Sequence, residues 1–262
     1  MERIKQALEK ARQEREIRSG TEPAPAQPEA GTGKIEYGQT QSVPLDDALL
    51  RKNRIVTGLE PGPFTESYKR LRTQVLQRFR ENNWNVLGVT SPGEGEGKTL
   101  TAINLAISIA REVDYTVLLV DANLRHPQML EHFGLPPRKG LSDYLENDAP
   151  IPELLIQPGP IEHLVIFPGG TPAANSAEML NSPKMADLVQ GMKSRYHSRI
   201  IIFDLPPVLT TADALAFSPY VDAALLVVED GSTQKQDVER AVELLSTTNI
   251  VGTVLNKAEA QP

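Results

Sequence analysis

An apolar run from Trp84 to Thr90 breaks at Ser91-Pro92-Gly93-Glu94-Gly95-Glu96-Gly97. Lys98-Thr99 then opens a stripe of Ala102, Ile103, Leu105, Ala106, Ile109 and Ala110 at helical spacing. Strand, glycine-rich turn and helix in that order leave few folds open. The glycines let backbone N–H groups turn inward as a cradle for an anion. The start of the helix points its positive dipole end at the same place. Lys98 can reach β- and γ-phosphates, and the Thr99 hydroxyl can ligate Mg²⁺. Gly93, Glu94, Gly95, Glu96, Gly97, Lys98, Thr99 and Leu100 are therefore the expected contacts to ATP. One position departs from the strict phosphate-loop spacing, which asks for glycine where Pro92 stands.

Downstream of about residue 64 the chain alternates. Strands are expected at Trp84–Thr90, Thr116–Asp121, His163–Phe167, Arg199–Asp204, Ala223–Val228 and Ile250–Leu255, and helices at about 64–81, 98–112, 184–196 and 233–247. Continuous Val/Ile/Leu strands separated by helices imply an α/β fold of the P-loop NTPase kind. Its sheet is mostly parallel, with helices on both faces. Sites in such sheets lie at the carboxyl ends of the strands.

Two carboxylates fall at those ends. Val117-Leu118-Leu119-Val120 runs into Asp121, and Ile200-Ile201-Ile202-Phe203 runs into Asp204. A carboxylate there can hold Mg²⁺ or take a proton from an attacking hydroxyl. Burying two of them is costly unless a cation neutralises them. Lys98, Asp121 and Asp204 are the expected catalytic set, and Thr99, Asp121 and Asp204 the expected metal set. The last strand ends at Asn256, whose amide matches an adenine edge but also suits a plain turn. Asp213 reads as a partner to another site residue or as a helix cap, and Arg125 as a phosphate or subunit contact or a solvated charge.

The net charge of −7 argues against nucleic acid as a partner. There is no cysteine, so no disulfide framework or thiolate chemistry. No apolar run approaches the roughly 20 residues that span a bilayer. The expectation is a cytoplasmic protein. Three segments are expected: a helix over 1–18, a mostly disordered Pro/Ala/Gly/Glu-rich linker over 19–60, and a P-loop domain over 61–262. Ile4, Ala7, Leu8 and Ala11 share one face of the first helix, which suits either a solvated helix or a short docking helix. Within 34–60, Leu49, Leu50, Ile55 and Val56 could pack on the core.

Taken together, the phosphate loop, Leu118-Leu119-Val120-Asp121-Ala122-Asn123-Leu124-Arg125-His126-Pro127 and Ile201-Ile202-Phe203-Asp204-Leu205-Pro206-Pro207 resemble the bacterial protein-tyrosine kinases of polysaccharide export. Within them the likeness is greatest to the tyrosine autokinases of exosortase-associated exopolysaccharide loci. Pro168-Gly169-Gly170 with Asn175-Ser176-Ala177-Glu178-Met179-Leu180 adds to it, as does Glu66-Ser67-Tyr68-Lys69-Arg70-Leu71-Arg72, similar to a subunit-contact helix. The resemblance implies Mg·ATP, transfer to protein tyrosines in a neighbouring subunit, and a homo-oligomer. It also implies activation by the cytoplasmic tail of a separate membrane chain-length regulator, which would recruit the chain to the inner face of the membrane.

Three departures stand out. Asn123 replaces a carboxylate of the family's Asp-x-Asp, Lys69 replaces an arginine, and the six tyrosines are scattered. Tyr37 is either an acceptor or a surface aromatic. Two other readings share these motifs. One is a nucleotide-binding regulatory subunit with weak catalysis. The other is a partition-type P-loop ATPase, which would carry a second lysine where Gly93 stands.

Overall fold

The computed structural model describes residues 40–56, 62–159, 161–195 and 198–258. The expected helix over 1–18 and Tyr37 lie outside the described residues. Six strands form the parallel body of the sheet: β2 (Val86–Thr90), β3 (Thr116–Asp121), β5 (Leu164–Phe167), β6 (Arg199–Asp204), β7 (Ala223–Glu229) and β8 (Asn249–Asn256). Two three-residue strands, β1 (Gln41–Val43) and β4 (Ile156–Pro158), extend one edge, giving the order β1-β4-β5-β3-β6-β2-β7-β8. β4 runs antiparallel to β5, and β1 runs parallel to β4.

The helices in chain order are α1 (Asp47–Lys52), α2 (Pro63–Asn82), α3 (Lys98–Ala110), α4 (Met129–His132), α5 (Leu141–Asn147), α6 (Ile151–Leu154), α7 (Ser176–Leu180), α8 (Pro183–Arg195), α9 (Asp213–Phe217) and α10 (Lys235–Leu244). α3 is buried on every side from Thr101 to Ala110, as expected of a helix apolar all round. It lies in the main core cluster with Leu87, Val89, Val117, Leu119 and Ile202. Every residue of β2 and β3 is buried, so both faces of the central sheet are covered.

The expected strands agree with the observed ones to within two residues. The first begins at Val86 rather than Trp84, because Trp84 packs edge-on against Phe79 of α2 instead of joining the ladder. Within the segment 19–60, expected as mostly disordered linker, residues 40–56 carry β1 and α1. Asp46 caps α1 by accepting from Ala48 N at 2.8 Å, and Leu50 and Ile55, two of the residues expected to pack on the core, are core residues. Short, polar elements such as these carry too few apolar residues for a periodic signal.

Candidate active site

The phosphate loop joins β2 to α3. Gly95 and Gly97 both hold left-handed backbone, at φ 75° and 92°, which other residues resist. A Cβ on Gly97 would collide with the Asn256 amide nitrogen. The loop is braced from three sides. Ser91 Oγ donates to Gly93 O at 2.6 Å, Gly93 N donates to Glu96 Oε2 at 3.2 Å, and Thr233 Oγ1 donates to Glu96 Oε1 at 2.6 Å. Asn256 Nδ2 donates to Glu96 O at 2.8 Å.

The Glu96 side chain is thus engaged with Gly93 and the turn after β7. Glu94 is exposed, and Leu100 packs partly into the core. One Asn256 amide proton is already used to hold the loop, which leaves its carbonyl oxygen and second proton for a base. Nothing local in the sequence points to Thr233, which meets Glu96 across 137 residues.

Beside the loop, β3 and β6 pair in register so that Asp121 stands directly opposite Asp204. Neighbouring strands lie about 4.8 Å apart, which brings two carboxylates together at the carboxyl edge. Both side chains are almost wholly buried. Asp121 accepts from Asn123 N and Met129 N, each at 3.1 Å. Lys98 Nζ lies 3.9 Å from Asp204 Oδ1 and 3.2 Å from Thr99 Oγ1. Burial first, and then the charge of Asp204, push the Asp121 carboxyl up to about 7, against the pull of its two N–H donors. Asp204 is also raised by burial, with Lys98 and the Thr99 hydroxyl pulling the other way. The expected catalytic set, Lys98, Asp121 and Asp204, therefore converges.

Asp204 Oδ1 is buried with no hydrogen-bond partner. An orphaned carboxylate oxygen next to a hydroxyl and a second carboxylate is an all-oxygen donor set, and it fits Mg²⁺. Among the described residues no group of three or more His, Cys, Asp or Glu gathers as a metal cage.

Other site residues are fixed by longer-range contacts. Arg125 Nε lies 3.3 Å from Asp213 Oδ2, which also accepts from Ser176 Oγ at 2.5 Å. Asp213 is therefore a partner and not a cap, and Arg125 is tied within the chain. The Pro168–Gly170 turn closes the far side of Asp121. A Cβ on Gly169 would lie 2.6 Å from Pro127 Cβ and 3.2 Å from Asp121 Cγ. On α2, Lys69 pairs with Glu66 at 2.7 Å, and Arg72 pairs with Glu112 at 2.7 Å. A cleft of about 1200 Å³ opens over the loop, lined by Lys98, Thr99 and Asn256 and reaching α1, α2 and α4. His132 faces this cleft, and burial lowers its tendency to protonate. A lone histidine in a short helix carries no sequence signal that could have singled it out.

A parallel sheet, a braced phosphate loop and two acids at adjacent strand tips define a nucleotide-binding P-loop protein. The chain belongs to the bacterial tyrosine-protein kinases: it is 32% identical over 217 residues to tyrosine-protein kinase YwqD of Bacillus subtilis, covering 79% of this chain and 90% of that one. It is 30% identical over 222 residues to the succinoglycan biosynthesis transport protein ExoP of Rhizobium meliloti, covering 82% of this chain and 28% of that protein.

Among solved structures, the kinase domain of Escherichia coli tyrosine kinase ETK matches with a TM-score of 0.70 at 26% identity, over 84% of this chain and 89% of that one. The septum site-determining protein MinD of Pyrococcus horikoshii, complexed with Mg-ADP, shares the fold with a TM-score of 0.56 at 22% identity, over 67% of this chain and 72% of that one. No protein-family model matches the chain. Among the described residues, no helix is long and apolar enough to cross a membrane.

Proposed function

We propose that the chain transfers the γ-phosphoryl group of ATP to a protein tyrosine, with Lys98, Asp121 and Asp204 as the working residues. The single observation that carries this reading is the buried Asp121–Asp204 pair set against Lys98 at the phosphate loop. Lys98 and the loop N–H groups of Gly95 to Thr99 orient the β- and γ-phosphates and stabilise charge on the transferring group. Thr99 and Asp204, with Asp121 beside them, would hold Mg²⁺, which when bound neutralises the phosphate oxygens. The phenolic oxygen attacks the γ-phosphorus, the bond to the β-phosphate oxygen breaks, and ADP leaves. Asp121 takes the phenolic proton; its raised affinity for protons makes it a competent base near neutrality. The free oxygen and proton of the Asn256 amide would meet adenine.

The wider setting is exopolysaccharide polymerisation and export, a reading supported by the likeness to ExoP. In it the chain works as a homo-oligomer on protein tyrosines and is recruited to the inner face of the membrane by the cytoplasmic tail of a chain-length regulator. Residues 1–18, in whose sequence Ile4, Ala7, Leu8 and Ala11 recur at helical spacing, are the docking segment for that tail.

Incubation of the pure chain with labelled ATP and Mg²⁺, followed by identification of the labelled amino acid, tests the reaction. Label on tyrosine is expected, and Lys98→Ala should reduce it at least about a thousandfold, as loss of a phosphoryl-stabilising cation does. Normal labelling in that variant would reject the assignment. A second reading, a nucleotide-binding regulatory subunit, is favoured by Asn123, which cannot take a proton or carry charge. ATP binding without phosphotyrosine is its signature.

A further inference from the structure

The cleft over the phosphate loop, at about 1200 Å³, exceeds what a single nucleotide requires. Its outer wall is made by the end of α1 and the first turns of α2, and it carries Arg51, Arg54 and Arg70 beside Phe64. Among the described residues, neither Arg54 nor Arg70 forms an ion pair with a carboxylate, in contrast to Arg72 with Glu112 and Arg125 with Asp213. Phe64 is 41% exposed.

Arg54 has an unusual mount. It follows the C-cap of α1 with φ 58°, a left-handed position where glycine or asparagine is the usual occupant. Arg54 N donates to Arg51 O and Ile55 N to Leu50 O, which closes the helix end. Asn104, fully buried in α3, then grips the same segment twice: its Nδ2 donates to Arg54 O at 3.0 Å, and its Oδ1 accepts from Val56 N at 2.9 Å. The backbone that bears this guanidinium is thus bolted to the helix that begins at Lys98. The guanidinium thus springs from a rigid base at the wall of the reaction cleft.

The other approaches to Lys98 are narrow. Beyond Asp121, the space against Pro168–Gly170 is about 30 Å³, the size of a water molecule. On the β8 side, Asn256 and Glu96 close over the loop. Among the described residues, the arginine wall borders the widest opening toward Lys98 and gives a polypeptide bringing a tyrosine to the γ-phosphate room to lie. We propose that Arg54 and Arg70, with Phe64, form an acceptor subsite that selects tyrosines flanked by acidic residues. Guanidinium groups pair with the flanking carboxylates in the forked geometry that lysine cannot reproduce, and Phe64 offers an apolar face to the peptide. This rests on the kinase reading given above.

The test uses the full chain with Mg²⁺, labelled ATP and two synthetic peptides, one with tyrosine between glutamates and one with the same tyrosine between glutamines. The acidic peptide should be favoured about tenfold in kcat/KM, the worth of one or two charge-assisted hydrogen bonds. Arg54→Gly, which suits the left-handed backbone and preserves the fold, should cut that preference to about twofold by raising the KM for the acidic peptide, with the KM for ATP moving less than about twofold. Arg54→Lys should restore part of it, and added salt should erode it.

Equal use of the two peptides by the unaltered chain would overturn the subsite. So would an Arg54→Gly defect that falls alike on both peptides or on the KM for ATP, since the guanidinium would then serve the nucleotide. Label on the chain's own tyrosines without peptide preference sinks the subsite alone. No label on any tyrosine sinks the kinase reading with it.

Discussion

The phosphate loop and the carboxylate pair lie side by side, yet they are prepared for their ligands in opposite ways. Around the loop the polar side chains are satisfied. Glu96, Ser91, Thr233 and Asn256 each have a partner, and Gly95 and Gly97 relieve what strain the turn would impose. At the strand tips, Asp121 and Asp204 face each other across one sheet spacing, and one buried oxygen, 3.9 Å from the Lys98 ammonium, has no hydrogen-bond partner. The loop is shaped in advance, so little ordering is left for phosphate to cause. The tips hold charge that folding alone does not compensate, and only a cation or a proton relieves it. Shape is therefore stored in one region and electrostatic demand in the other.

The hardest blow to the shaped region is Gly97→Ala. The new methyl group would meet the Asn256 amide while the backbone stays at a left-handed φ. Loop and strand end must move apart, and ATP affinity should fall by at least about a hundredfold, a loss of roughly 3 kcal/mol. Calorimetric titration with Mg·ATP measures it. Asn256→Ala in the same chain should recover only the part that comes from the collision. An alanine variant that binds ATP normally would mean that the loop is not held as the structure places it.

The demanding region responds differently. Folding raises the pKa of both carboxyls, Asp121 to about 7. The native state then binds more protons than the unfolded chain between about pH 4 and pH 7. Without metal, the contribution of this pair to stability is highest below the unfolded carboxylate range and falls as pH rises through that window. Asp204→Asn removes one of the two charges. The variant should lose phosphotransfer, yet its metal-free, nucleotide-free melting midpoint should exceed that of the unaltered chain by about 3 °C at pH 8, roughly 1 kcal/mol for a chain this long. At pH 5, where protons already quiet the pair, the two midpoints should converge. Thermal melts at the two pH values decide it. A variant that melts lower at pH 8 would show that Lys98 already settles the charge of Asp204.

Much of this was legible in the sequence because the signals are local. The phosphate loop is a contiguous run, and Asp121 and Asp204 each end an apolar run of their own. That they stand opposite one another follows from β3 and β6 being neighbours, a pairing that no local pattern encodes. Asp213 with Arg125 and Glu96 with Thr233 are joined across 88 and 137 residues. Their geometry exists only once the crossovers are made. β1 and α1 escaped notice for another reason: three and six residues hold too little apolar surface to show a period, and their burial comes from the larger elements they meet.

The mildest perturbation returns to the shaped region. Thr233 Oγ1 accepts from Glu229 N at 2.8 Å while donating to Glu96 Oε1, so one hydroxyl ties the turn after β7 to the phosphate loop. Valine in its place keeps the volume and removes both bonds. Glu96, only 7% exposed, would then keep the Gly93 N–H as a donor to its carboxylate. A lost hydrogen bond to a charged group is worth about 1.5–3 kcal/mol, but partial entry of water should limit the cost to about 1 kcal/mol. Thr233→Val should therefore weaken ATP about fivefold, with the carboxylate pair and its pH response untouched. If ATP affinity stays constant while the pH dependence of melting changes, the two regions are not separate devices. The brace would then act on the acids and not on the loop.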